Sequence, residues 1–114
     1  MKQIIAIIRP DKLKNVQDAL NEINIKGLTI TDVQGYGRQK GHKEIFRGVE
    51  YDILYTNKIK LEIVVDEQNV EQVIDCIIDN ARSESGKIGD GKIFVLDVVD
   101  AIRIRTGEKG SSAL

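Results

Sequence analysis

Tryptophan is absent from this chain of 114 residues, and it has only two phenylalanines and three tyrosines. So few rings leave little surface on which nucleobases could stack. The one cysteine, Cys76, has no partner for an internal disulfide, which suits a reducing compartment. His42 is the one histidine, and without a second histidine or a cysteine nearby it makes a poor metal site. No apolar run approaches the length of a membrane span. The N-terminus reads as a strand and has no apolar stretch followed by a cleavage site, so no secretory signal is expected. Charge of one sign is missing too: 17 basic residues face 18 acidic ones, for a net charge of -1. That removes any general attraction to nucleic acid or to an anionic membrane. No nucleophile stands beside a base in the manner of an enzyme. These absences point to a small cytoplasmic protein that binds rather than catalyses.

What is present is a clear order of elements in a chain the size of one domain, 1–114. Gln3–Ile8 is a short apolar run ended by Arg9-Pro10, and reads as a buried strand. Asp11 stands where an N-cap would, and Leu13, Val16, Leu20 and Ile23 follow at helical spacing. Gly27 breaks the chain before a second strand, Leu28–Val33. A third strand alternates, with Ile59, Leu61, Ile63 and Val65 on one face and Lys58, Lys60, Glu62 and Val64 on the other. Val70, Val73, Ile74, Ile77, Ile78 and Ala81 form the stripe of a second helix, and Cys76 beside it reads as a packing residue. Lys92–Val98 is a fourth strand, Ala101–Thr106 a short extra strand, and 107–114 a frayed tail. The order βαββαβ is the ferredoxin-like arrangement, an α+β fold with two helices on one face of an antiparallel sheet. The first and fourth strands are apolar on both sides, so the second face needs a cover. Another copy of the chain is the simplest one.

Tyr36–Tyr55 is too long to be an ordinary strand connection, and a connection of that length is usually functional. With three glycines, charges of both signs and three tyrosines, it reads as a binding arm. A second unusual stretch is Gly86-Lys-Ile-Gly-Asp-Gly-Lys92. It approaches a P-loop, but Ile93 stands where Ser or Thr would hold magnesium, and the loop leads into a strand. Walker-type hydrolysis is therefore not expected, although such a loop can wrap an anion through its backbone amides. Arg103 and Arg105 would lie on one side of an extended strand, where an anion between them would relieve their repulsion. The bland alternatives are a solvated loop and a charged edge. Lys58, Lys60 and Glu62 likewise form either a solvated row or a row that pairs internally or with an anion.

Several long strings resemble the P-II signal-transduction family of nitrogen-regulatory sensors. They are Gly35–Gly41, Arg47–Tyr51, Lys58–Glu62, Gly86–Phe94 and Ile102–Gly107, at the family's spacing over 1–109. The resemblance implies a T-loop at 36–55, a B-loop at 81–92 and a C-loop region at 99–114. It implies a homotrimer with ATP or ADP in each intersubunit cleft and, with magnesium and ATP, 2-oxoglutarate. By position, Thr29, Gly37, Arg38, Gln39, Val64, Gly89, Asp90, Gly91 and Lys92 would line the nucleotide. Arg103 and Arg105 would reach its phosphates from the neighbouring subunit. Gln39 would also ligate the magnesium, and Gln39, Lys40, Gly41 and Lys58 would hold 2-oxoglutarate. The T-loop would regulate a target: an ammonium channel, a nitrogen-metabolism enzyme or a transcription regulator. The compartment would be the cytoplasm, or the stroma in a plastid.

Some positions depart from the family pattern. The stretch Ala81–Gly86 looks longer than the common form, with Ser83 or Ser85 in place of a threonine before the glycine. Leu54 and Asn57 replace more usual residues. Val49 removes a serine that one branch phosphorylates, whereas Tyr51 is retained as a nucleotidylylation site for a cell with the modifying enzyme. Two other readings fit the fold. An acylphosphatase-like hydrolase would need an arginine–asparagine pair that finds no place here. A CutA-like trimer of structural or metal-linked role leaves Gly86–Lys92 and the two arginines unexplained.

Overall fold

The computed structural model describes residues 1–25, 27–36, 43–46, 49–52 and 55–114, the segments 43–46 and 49–52 as backbone alone. The main sheet holds β1 (Lys2–Ile8), β2 (Thr29–Tyr36), β5 (Tyr55–Val65) and β6 (Gly91–Asp97). All its pairings are antiparallel and its order is β2-β5-β1-β6, so β5 and β1 are central. The third and fourth strands of the sequence reading are β5 and β6. Helices α1 (Leu13–Glu22) and α2 (Val70–Ala81) connect β1 to β2 and β5 to β6. This is the expected ferredoxin-like α+β arrangement. Within the 36–55 segment, β3 (Lys43–Phe46) and β4 (Val49–Asp52) pair as a separate two-stranded sheet that the sequence did not suggest. The main ladder extends to Tyr36 opposite Tyr55, whose rings meet edge to face at 5.3 Å between centroids.

The alternation seen in sequence decides which face is buried. Ile59, Leu61, Ile63 and Val65 of β5 join Ile4, Ala6 and Ile8 of β1 beneath Val16 and Leu20 of α1 and Val73, Ile77 and Ala81 of α2. Burying one such aliphatic side chain contributes about 1.5–3 kcal/mol relative to leaving it exposed. The opposite face carries Ile5 and Ile7 of β1, half-buried, beside Phe94 and Leu96 of β6, which remain 49% and 43% exposed. Within one chain nothing described covers this face.

Three expectations are corrected. Asp11 does not cap α1. It lies inside a 3-10 turn, Pro10–Lys12, that starts where Pro10 holds Arg9 extended, and no side chain caps either helical segment. The short strand expected over 101–106 reduces to one bridge between Ile102 and Lys109. Gly107 and Gly110, at φ +73° and +68°, let the chain double back instead. Nor is the tail frayed. It ends in a 3-10 turn, Gly110–Ala113, tied to the body by Ser111 Oγ donating to Asp66 at 2.6 Å.

Candidate functional site

The loop from α2 to β6 is knotted around one carboxylate. Asp90 Oδ2 accepts from both the amide and the hydroxyl of Ser83, at 3.1 and 3.0 Å. Ser83 Oγ in turn accepts the amide of Lys87 at 2.9 Å. The amide of Gly86 goes to Ser83 O and that of Asp90 to Lys87 O. These amides are spent within the loop, so the cradle expected over 86–92 narrows to the stretch around Gly89. Gly86, Gly89 and Gly91 adopt φ of +64°, +99° and +112°, which explains three glycines in so short a loop. The loop runs into β6, as expected from its failed match to a P-loop.

Two cations hold the stretch 88–90. Arg9 Nε donates to Asp90 Oδ1 at 3.0 Å, and its NH2 group donates to Ile88 O at 3.0 Å. Lys58 Nζ donates to Gly89 O. Burial pushes the Lys58 ammonium below its usual range, and the Arg9 charge adds to the effect. Burial works to raise the Asp90 carboxyl, but the bonds from Arg9 and Ser83 outweigh it and hold the group below the ordinary carboxylate value. The charged row of β5 thus divides. Lys58 turns to the loop, while Lys60 pairs with Glu62 at 3.3 Å and Gln3 donates to Glu62 at 3.0 Å.

Not all the expected residues come together. Lys58 and Gly89 are in contact, and Asp90, Gly91 and Lys92 continue from them into β6. Thr29 lies opposite Glu62, and Val64 opposite Gln3, on the same open face. Six residue steps of extended strand separate Val64 from Lys58, about 20 Å. Arg103 is at that far end. It pairs with Glu108 at 3.0 Å and donates to Leu114 O, and Leu114 shares a small hollow with Val64 and Asp66. Arg105 sits in the exposed turn after it. The two arginines are not neighbours on a strand, as the reading from spacing supposed. The expected residues that the structure describes therefore fall into two groups, one at each end of β5. Gly37, Arg38, Gln39, Lys40 and Gly41 lie outside the described residues, as does His42. Tyr51 is described only as backbone, opposite Glu44. Nothing in sequence links Arg9, at the end of β1, to Asp90.

Among the described residues no cluster of histidine, cysteine and carboxylate groups could hold a metal, and no helix is long and apolar enough to cross a membrane. A family model described as Nitrogen regulatory protein P-II matches residues 1–108. Over all 114 residues, and the full length of each relative, the chain is 54% identical to nitrogen regulatory protein P-II 1 of Escherichia coli. It is 52% identical over the same span to nitrogen regulatory protein P-II of Pasteurella multocida. The crystal structure of Arabidopsis thaliana PII bound to citrate superposes with a TM-score of 0.78 at 43% identity, covering 98% of this chain and 87% of that one.

Proposed function

This chain belongs to the nitrogen regulatory P-II family of signal-transduction proteins, and from that premise we propose that it reports nitrogen, carbon and energy status. ATP and ADP compete for clefts between the subunits of a homotrimer. With magnesium and ATP in place, 2-oxoglutarate binds beside them, and the 36–55 arm changes its choice of target protein. The protein is a regulator, and no residue on it is assigned a catalytic role.

The observation that carries this reading is the split site. Lys58 with Gly89–Lys92 at one end, and Thr29, Val64 and Arg103 at the other, are too far apart to line one nucleotide within a chain. A neighbouring copy laid against the uncovered face brings one end to the other. The same copy covers Ile5, Ile7, Phe94 and Leu96. The loop suits an anion: Gly86 and Gly91 are exposed on either side of a half-buried Gly89, and Lys92 follows directly. Bound magnesium would supply positive charge between the nucleotide phosphates and a dicarboxylate. Gln39 would hold it, and Lys58 would take a carboxylate of 2-oxoglutarate together with Lys40 and Gly41. Arg103 and Arg105 would meet the phosphates from the neighbouring subunit. The full-length family match favours this over a hydrolase or a CutA-like trimer. Calorimetric titration with ATP, with and without magnesium and 2-oxoglutarate, tests it. Saturable ATP binding, one per chain, is expected; no heat with any nucleotide would overturn the reading.

A further inference from the structure

Arg9 sits beneath the loop and reaches both sides of Gly89. Pro10 holds its backbone extended, at φ -66° and ψ 141°. One guanidinium nitrogen binds the Asp90 carboxylate and another the Ile88 carbonyl, both at 3.0 Å. The fork fills the space under Gly89, where an added Cβ would stand 3.2 Å from its NH2 group. Through Asp90 the same guanidinium is connected to Ser83, at the other end of the loop. A loop with three glycines in left-handed conformations would otherwise lose much freedom on gripping a ligand.

We propose that Arg9 is a positioning residue that presets the 88–90 backbone from below, and thereby sets the loop's affinity for a nucleotide phosphate without touching it. This rests on the nucleotide reading above. A loop already fixed in its bound shape loses less entropy on binding, so affinity rises. Removing the fork returns that ordering cost to the binding event. The bidentate geometry matters, since lysine supplies the charge but not two fixed donors.

The groups facing Asp90 are Arg9 at the end of β1, Lys58 on β5 and Ser83 in the loop, with Arg82 and Lys92 lining the adjoining hollow. Arg9→Gln leaves the carboxylate without its guanidinium, so its pKa moves up toward the ordinary 3.8. Arg9→Lys restores the charge but not the fixed guanidinium hydrogen bond, and so only part of that shift.

The test has two arms. Without nucleotide, amide exchange at 88–91 and the NMR titration of the Asp90 carboxyl are followed in wild type, Arg9→Gln and Arg9→Lys. With ATP, affinities of the same proteins and of Asp90→Asn and the double variant are measured by calorimetry. Faster exchange, a raised Asp90 pKa and about tenfold weaker ATP are expected for Arg9→Gln, with partial recovery in Arg9→Lys. The double variant should lose less than the sum of the single losses. Unchanged exchange in Arg9→Gln, or a loosened loop with unchanged ATP affinity, overturns the inference. A wild type that binds no ATP removes the nucleotide reading instead; the exchange and titration arm then decides Arg9's hold on the loop.

Discussion

Gly91 lies against the main-chain oxygen of Ile7, so closely that a Cβ on Gly91 would stand 1.7 Å from that oxygen. Its φ of +112° is also one that side chains rarely adopt. The contact joins the loop to the central strand, because β6 begins at Gly91 opposite Ile8. Gly91→Ala must move backbone, which is rigid here, and not a flexible side chain. Strain and overpacking together should destabilise the fold by about 2–6 kcal/mol. Gly27, by contrast, has nothing among the described residues within 4 Å of its Cβ position. Gly27→Ala should be neutral or stabilising, by at most about 1 kcal/mol. Urea unfolding midpoints compare the two directly, and equal midpoints would show that the Ile7 contact imposes nothing.

The uncovered sheet face predicts assembly. Phe94 and Leu96 stay exposed beside Ile5 and Ile7, and a single charge placed there should open the proposed trimer. Leu96→Asp is expected to lower the mass seen by light scattering from about three chains toward one. A wild type that stays monomeric at micromolar concentration would leave this apolar face without a cover and remove the intersubunit cleft.

Arg103 and Arg105 should separate in their effects on stability but not on binding. Arg103 is tied to Glu108 and to Leu114 O, so Arg103→Ala should loosen the 101–114 segment. Arg105 is exposed in the turn and has no hydrogen-bond or ion-pair partner among the described residues, so Arg105→Ala should leave the fold unchanged. Each loss of a charge-assisted phosphate contact costs about 1.5–3 kcal/mol, or roughly tenfold to a hundredfold in ATP affinity. Unaltered ATP affinity in both variants would mean that neither arginine reaches a phosphate.

How much of this was legible in sequence follows from the range of the interactions. The alternation Ile59, Leu61, Ile63, Val65 and the stripe from Val70 to Ala81 are local patterns, and they place β5 and α2 correctly. The hairpin of β3 and β4 gave no such signal, since Lys43–Phe46 and Val49–Asp52 are short and mix charge with apolar residues. The extra strand over 101–106 also had local support, but Gly107 turned the chain back on itself. The contacts that shape the site are long-range. Arg9 meets Asp90 across 81 residues and Ser111 meets Asp66 across 45, and no local pattern encodes either pair. Gly86–Lys92 and the Lys58 row stand out in sequence because glycines and lysines in that pattern suggest an anion, and the fold brings Lys58 to the loop at Gly89.

Lys58 makes the alkaline stability distinctive. Its pKa in the folded chain is lowered below 10.5, first by burial and then by Arg9. Between the lowered value and 10.5 the unfolded chain binds more protons than the folded one, so stability rises with pH across that window. Lys2 works the other way. Its pKa is raised by Asp97, so its contribution is fully present below 10.5 and is lost as pH climbs through the higher value. Lys58→Met should abolish the rise and leave the later fall. Urea unfolding measured from pH 8 upward tests this, and an unchanged rise in the variant would assign it to another group.

The most direct measurement of the central claim is a titration with 2-oxoglutarate. Two carboxylates placed beside a triphosphate repel it, and a magnesium ion between them turns repulsion into attraction. ADP, without a γ-phosphate, should hold that ion poorly. The coupling must also run both ways, so 2-oxoglutarate should tighten magnesium–ATP by the same factor. Wild type and Lys58→Met are titrated in ATP with magnesium, in ATP with EDTA and in ADP with magnesium. Tight binding by wild type in the first buffer, weak binding in the other two, and loss of binding in Lys58→Met is the predicted result. Equal binding in all three buffers, or full binding by Lys58→Met, would contradict the account.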